Sequence, residues 1–169
     1  MKSADELFLR MAVLEDAKEI AAVEAECFPA AEAATERSIR ERLEVYPNHF
    51  WLLTDEEKIV GFVNGMVTEE PDLTDEMYEN AGMHREDGRW QMIFGVDTIP
   101  EYRRRGCAGR LLRQAIADAR AQGRDGLVLT CKERLIPYYA RFGFRNEGIS
   151  ESVHGNAVWY QMRLSFDRE

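Results

Sequence analysis

Three consecutive arginines run into a group of small residues at Arg103-Arg104-Arg105-Gly106-Cys107-Ala108-Gly109-Arg110, between an apolar run ending near Val96 and the helical repeat Leu111, Leu112, Ala115, Ile116 and Ala119. A strand, a turn and a helix start in that order form a phosphate cradle. Gly106, Ala108 and Gly109 let a ligand approach backbone N–H groups, and those groups lie at the positive end of the following helix dipole. The competing role is an ordinary strand-to-helix connection whose small residues serve close packing. The chain has no Gly-x-x-x-x-Gly-Lys-Ser/Thr, and Gly106-Cys107-Ala108-Gly109 does not spell Gly-x-Gly-x-x-Gly, which disfavours an NTPase or a dinucleotide domain. The pattern that fits is Arg/Gln-x-x-Gly-x-Gly/Ala, met by Arg103, Gly106 and Ala108.

A second group with chemical potential is Tyr138-Tyr139-Ala140-Arg141-Phe142-Gly143-Phe144. A tyrosine hydroxyl can donate a proton to a leaving group, although a tyrosine beside Phe142 on a short helix also serves packing. Cys27, Cys107 and Cys131 are odd in number and lack metal-ligand or Cys-x-x-Cys spacing, so neither a disulfide framework nor a zinc site is expected, and no metal is called for.

The 169 residues, 45% of them hydrophobic, suit a single compact domain over 1–169. Asp and Glu number 31 against 22 Lys and Arg, for a net charge of -9. That excess disfavours nucleic acid or an anionic membrane as partner and suits a cationic small substrate, while the arginines around the turn reverse the sign locally. Neither a signal peptide nor an apolar run of membrane-spanning length is read, so a reducing, cytoplasmic setting is expected.

The elements that must position these residues follow from periodicity. Leu7–Val13 reads as a strand and Glu15–Glu26 as a helix ending before Pro29; Ala30–Tyr46 reads as a second helix stopped by Pro47. His49–Leu53 and Ile59–Val67 read as a hairpin, and the acidic stretch Thr68–Arg89 as a surface segment or a flap over an amine site, with one short helix near Leu73, Met77 and Tyr78. Trp90–Asp97 is the expected central strand, Arg110–Gln122 its helix, Leu127–Cys131 a strand buried on both faces, Ile136–Phe142 a short helix, and Phe144–Ser150 and Ala157–Phe166 two closing strands. The fold class is α/β (α+β): a mixed, mostly antiparallel sheet of about seven strands flanked by helices.

Read together, Tyr102–Gly109 and Tyr138–Phe144 resemble the GNAT superfamily of acetyl-CoA-dependent N-acetyltransferases, and the resemblance extends in element order over nearly the whole chain. Leu129–Tyr139 is similar to the corresponding part of the serotonin (arylalkylamine) N-acetyltransferase subgroup. The resemblance implies that backbone N–H groups from Arg104 to Gly109, in the turn Arg103, Arg104, Arg105, Gly106, Cys107, Ala108 and Gly109, hold the coenzyme A pyrophosphate. It also implies that Val96, Asp97 and Thr98 pair with the pantetheine arm, which enters where the central strand and the Leu127–Cys131 strand splay. Tyr139 matches the tyrosine that protonates the departing thiolate. The cosubstrate is acetyl-CoA, the acceptor a small-molecule amine, and the oligomeric state monomer or homodimer.

This chain departs from the subgroup at the base. Positions matching the subgroup's paired histidines are Met92 and Phe94, which cannot take a proton and, with Phe28, are expected to line the acceptor site instead. Glu26, acting through a water, is the acid assigned to the base. Glu24, His84 and His154 are the alternatives; a solvated helix face is the competing role for the two acids, and a surface or satisfied position for the histidines. The expected reaction is acetyl transfer to a small aryl- or alkylamine by direct attack in a ternary complex. An idle acyl-CoA-binding sensor is the other class, and a polyamine, an aminoglycoside or a protein amine the other acceptors.

Overall fold

The computed structural model describes residues 2–166, which form two compact units. The first comprises the residues up to Gly65 together with Gly95–Ala115; the second comprises Met66–Phe94 and the residues from Ile116 onward.

In the first unit, strands β1 (Phe8–Met11), β2 (Phe50–Asp55), β3 (Lys58–Asn64) and β6 (Gly95–Thr98) form an antiparallel sheet in the order β1-β2-β3-β6. Phe50-Trp51-Leu52-Leu53 is apolar at every position, and all four side chains are buried, as are Ile59, Val60, Phe62 and Val63 on its partner. Continuous apolar runs of this kind belong to inner strands covered on both faces. Helices α1 (Ala17–Cys27) and α2 (Glu36–Val45) supply cover through Ile20, Val23, Ile39 and Leu43. The rings of Tyr46, Phe50 and Phe62 follow one another at 6.0 and 6.4 Å.

The expected helix over Ala30–Tyr46 is shorter: it starts at Glu36, where the Thr35 hydroxyl accepts the Ser38 N–H at 3.1 Å. A threonine three residues ahead of a free N–H is a capping signal, and Ala30–Ala34 precedes it as turns.

In the second unit, β4 (Val67–Thr68), β5 (Trp90–Ile93), β7 (Gly126–Cys131), β8 (Arg145–Ile149) and β9 (Tyr160–Ser165) pair in the order β4-β5-β7-β9-β8. Only β5 and β7 run parallel. The crossover between them includes α4 (Cys107–Ala121), as parallel pairing requires a long connection. The described residues thus form nine strands in two sheets where about seven in one were expected, within the α/β class of mixed sheets and flanking helices that was expected. One extra strand is β4, separate from β3, and the other arises at Trp90–Asp97, which is two strands. Ile93 pairs with Leu129, Gly95 pairs with Asn64, and Phe94 belongs to neither sheet.

The acidic stretch contains a short α-helix, α3 (Asp75–Glu79), and a 3-10 turn at Ala81–Met83, and it is anchored rather than loose. Arg124, buried, donates to the carbonyls of Glu86 at 2.7 Å and Gly88 at 2.8 Å, and Arg163 donates to the Pro71 carbonyl and Asp72, both at 2.7 Å. Replacing Arg124 by Ala removes the donor to the buried Gly88 carbonyl and to the Glu86 carbonyl, and we expect a stability loss of about 2–3 kcal/mol, read by denaturant melts. A loss below about 0.5 kcal/mol would contradict the anchoring role. Among the described residues no helix is long and apolar enough to cross a membrane.

Candidate active site

The arginine turn is built by backbone that few residues adopt. Arg104 has φ 64° and Gly106 φ 85°, so two left-handed residues bracket Arg105. Such alternation turns successive N–H groups toward one side as an anion nest. Helix α4 starts immediately after, at Cys107, and its first hydrogen bond to the turn is from the Arg110 N–H to the Gly106 carbonyl at 3.0 Å. The first-turn N–H groups before Arg110 have no helical acceptor and are available to phosphate oxygens.

Several side chains assigned to the phosphate hold the turn in place instead. Arg103 donates Nε to the Thr98 carbonyl at 2.9 Å, closing the turn onto the end of β6. Arg110 donates to the carbonyls of Ala4 and Leu7 at 2.5 and 2.6 Å, while the Ala4 N–H reaches the Arg105 carbonyl at 3.3 Å. The guanidinium of Arg105 lies 5.7 Å from the centre of the Tyr102 ring, and the Tyr102 hydroxyl donates to Asp55 at 2.6 Å. Arg104 is exposed. Most of the nearby arginine side chains therefore act as supports of the turn.

Val96, Asp97 and Thr98 lie on β6, the terminal strand of its sheet, whose register places Val63 opposite Val96 and Gly61 opposite Thr98. One edge of β6 pairs with β3, and the other has no strand partner among the described residues of that sheet. An extended amide-bearing ligand pairs naturally with such an edge.

The Asp97 side chain was not anticipated. It is fully buried, and neither carboxylate oxygen has a hydrogen-bond donor. Glu24 of α1 is buried beside it, with Oε2 accepting the Ala34 N–H at 2.9 Å and Oε1 unmatched by a donor. Both acids crowd the open side of Gly95: a Cβ built there would stand 2.9 Å from Asp97 Oδ1 and 3.7 Å from Glu24 Oε1. Gly95 is therefore a steric requirement of the pair. Burial, first, and the adjacent Glu24 carboxylate hold the Asp97 pKa well above the ordinary carboxylate value, with Arg42 opposing. Arg42 is itself buried and donates to Asn64 Oδ1 at 3.0 Å. Glu26, the acid assigned to the base from sequence, is exposed. The signal that separates the two was present: Glu24 falls four residues after Ile20, on the buried stripe of α1.

In the second unit Tyr139 lies on α5 (Ile136–Ala140), started by Pro137 in its first turn. It is 8% exposed, edge-on to Tyr138 at 5.2 Å and to Phe144 at 6.2 Å. Phe94 is half-buried against Tyr78 at 4.6 Å, and Tyr78 stacks on His154 at 5.1 Å with ring planes 8° apart. Met92 is fully buried, its N–H bonded to the Met66 carbonyl, so it belongs to the core rather than to an exposed floor. Phe28, in the first unit, is half-buried in extended backbone past α1. His84 accepts the Val67 N–H on Nδ1 at 3.0 Å and meets Glu86 through Nε2 at 2.9 Å, a satisfied structural histidine.

Each cysteine thiol is raised above its ordinary pKa by burial: Cys131 to about 11, Cys107 in direction, and Cys27 with Arg103 opposing. Thiols held neutral are poor nucleophiles. We expect no acetyl-cysteine by mass spectrometry after incubation with acetyl-CoA alone; a stoichiometric adduct would contradict direct attack.

The model of the acetyltransferase (GNAT) family matches residues 14–144, which span α1 through the Tyr139 motif. The chain belongs to the GNAT family of acetyltransferases. Human N-acetyltransferase 8 is 28% identical to this GNAT protein over 104 residues, covering 60% of this chain and 40% of the relative, so the chain spans well under half the length of that curated relative. Among solved structures, the GphF GNAT-like decarboxylase in complex with isobutyryl-CoA superposes with a TM-score of 0.81 at 22% identity, covering 94% of this chain and 98% of that one. The ribosomal-protein-S18-alanine N-acetyltransferase from Escherichia coli gives 0.74 at 18% identity, covering 96% of each chain. At these identities the two likenesses establish the GNAT fold.

Proposed function

We propose that this GNAT protein transfers the acetyl group of acetyl-CoA to a primary amine by direct attack in a ternary complex. The observation that carries the reading is the nest at Arg104–Gly109, open at the start of α4 and tied by Arg103 to the end of an open-edged strand. Phosphates sit on the nest, and the pantetheine amides pair along Val96–Thr98. Tyr139 protonates the departing thiolate. Free thiols titrate near pH 8.5, so at neutral pH the departing sulfur ends as a thiol, and a hydroxyl within reach can supply its proton.

The acceptor we assign is a small aryl- or alkylamine. The similarity of Leu129–Tyr139 to the arylalkylamine subgroup and the aromatic set Phe94, Tyr78 and His154 support it. Such an amine has a pKa of about 10, so freeing its lone pair at pH 7 costs about 4 kcal/mol. Binding aligns amine and thioester and supplies much of the rest.

Thiol release from acetyl-CoA, measured against a panel of aryl-, alkyl- and polyamines, an aminoglycoside and a peptide N-terminus, tests this. Turnover restricted to the aryl- and alkylamines is the expected result. Tight acetyl-CoA binding with no amine-dependent release would instead identify a sensor, and release confined to another acceptor would replace the substrate class.

A further inference from the structure

The first unit buries two carboxylates, Glu24 on α1 and Asp97 on β6, where three of their four oxygens lack a donor. Orphaned acceptors in the interior are costly unless something supplies a hydrogen. A proton held between the acids meets that need, because it turns one carboxyl into a donor for the other. The titratable and charged groups facing Asp97 are Glu24 and Cys27 of α1 and Arg42 of α2; Asn64 of β3, bonded to Arg42, is neutral. Two acids and one guanidinium leave a single negative charge uncompensated when both acids ionise. Both carboxylates face Gly95, the first residue of β6.

We propose that Glu24 is the group that accepts the proton of the acceptor amine, and that Asp97 is the buried positioning residue that shares this proton. The assignment rests on the acetyl-transfer reading above. The step balances as follows. An ammonium R–NH3+ gives one proton, through a water, to the doubly ionised pair, which becomes singly protonated, and the freed lone pair attacks the thioester carbonyl. The C–N bond forms, the C–S bond breaks, and the electron pair leaves with sulfur as thiolate. Tyr139 protonates that thiolate and is reprotonated by a second amine proton. The pair then releases its proton to water, so each turnover yields amide, coenzyme A thiol and one H+.

The like charge and the burial both raise the pH at which the pair empties. The folded state therefore holds the Asp97 proton more tightly than the unfolded chain does. The stability this contributes is fully present below the ordinary carboxylate pKa of about 4 and is lost as pH rises through the raised folded value. Activity moves the opposite way, since the ionised pair is the base.

The test is the pH profile of kcat/KM for wild type and for Glu24→Gln, Asp97→Asn and Glu26→Gln, with Glu44→Gln on the exposed face of α2 as control. Glu24→Gln is expected to lower kcat/KM on the alkaline plateau about 100-fold and to abolish the acidic limb, with acetyl-CoA affinity unchanged by calorimetry. Asp97→Asn is expected to move the acidic limb to lower pH, because the carboxyl that burial holds protonated is then gone from the pair, and to raise Tm relative to wild type increasingly as pH rises. A wild-type profile in Glu24→Gln, an unmoved limb in Asp97→Asn, or a loss confined to Glu26→Gln would overturn the assignment. Should Asp97→Asn not fold, carboxyl 13C NMR of the wild-type protein decides: the pair predicts two separated titration steps, one above the ordinary carboxylate range, and coincident ordinary titrations would refute it. Absence of thiol release from wild type with every amine would refute acetyl transfer and the base together, whereas the NMR titration reads the pair without turnover.

Discussion

Replacing Tyr139 by Phe is expected to lower kcat about 100-fold or more while leaving the acetyl-CoA Kd within about twofold of wild type, the range expected for losing a general acid. Phenylalanine keeps the edge-on ring contacts with Tyr138 at 5.2 Å and Phe144 at 6.2 Å, so the substitution removes a hydroxyl and preserves the packing. The deficit should shrink with acyl donors whose thiol leaving group is more acidic, because such a thiolate departs without help. That dependence separates a proton donor from a residue that merely shapes the site. Steady-state kinetics with two thioesters and calorimetry of acetyl-CoA binding make the measurement; unaltered turnover would remove Tyr139 from its assigned role.

The second large effect is at Gly106. Its φ of 85° lies in the left-handed region, yet a Cβ there would meet only the Ala4 Cβ, at 3.8 Å. The position is thus open in space and restricted in conformation. Gly106→Val places a β-branched residue in backbone that costs on the order of 1–3 kcal/mol, and relief of that strain rotates the peptide N–H groups out of the nest. We expect acetyl-CoA binding to weaken tenfold or more, each tenfold being about 1.4 kcal/mol, with Gly106→Ala intermediate. Calorimetric titrations of the two variants showing wild-type affinity would refute a cradle made of backbone. Because α4 begins one residue later, circular dichroism of the variant distinguishes a lost phosphate site from a lost helix.

The two predictions separate donor from acceptor chemistry in a way that the buried acids extend. Gly106 reports on holding the donor, Tyr139 on releasing sulfur, and Glu24 with Asp97 on freeing the amine. The three thiols, held neutral by burial, argue against an acetyl-cysteine intermediate.

Much of the site was legible because its signals are local. The Arg-x-x-Gly-x-Ala turn, the helix that follows it and the Tyr139 motif each depend on residues a few positions apart, whose backbone preferences act over a single turn. The placement of α1, β2, β3, β7 and β9 followed from hydrophobic period for the same reason. The break at Phe94 was not legible, since Trp90-Gln91-Met92-Ile93-Phe94-Gly95-Val96-Asp97 carries one uninterrupted apolar pattern and only pairing partners distant in sequence divide it. Met92, likewise, was assigned to the acceptor site because its position matches a family histidine, and burial within the sheet makes it core.

By itself the sequence determined the acetyltransferase family to which the chain belongs, because the Arg-x-x-Gly-x-Ala turn and the short tyrosine helix are written in contiguous residues. Only the tertiary structure decided which acid is buried. Glu24 and Glu26 are two positions apart on one helix, hence on opposite faces, and which face is covered depends on β3 and β6. It also decided that Asp97 stands against Glu24 with no donor between them, a consequence of bringing residues more than seventy positions apart into one low-dielectric interior, where a shared proton is the stabilising answer to two like charges.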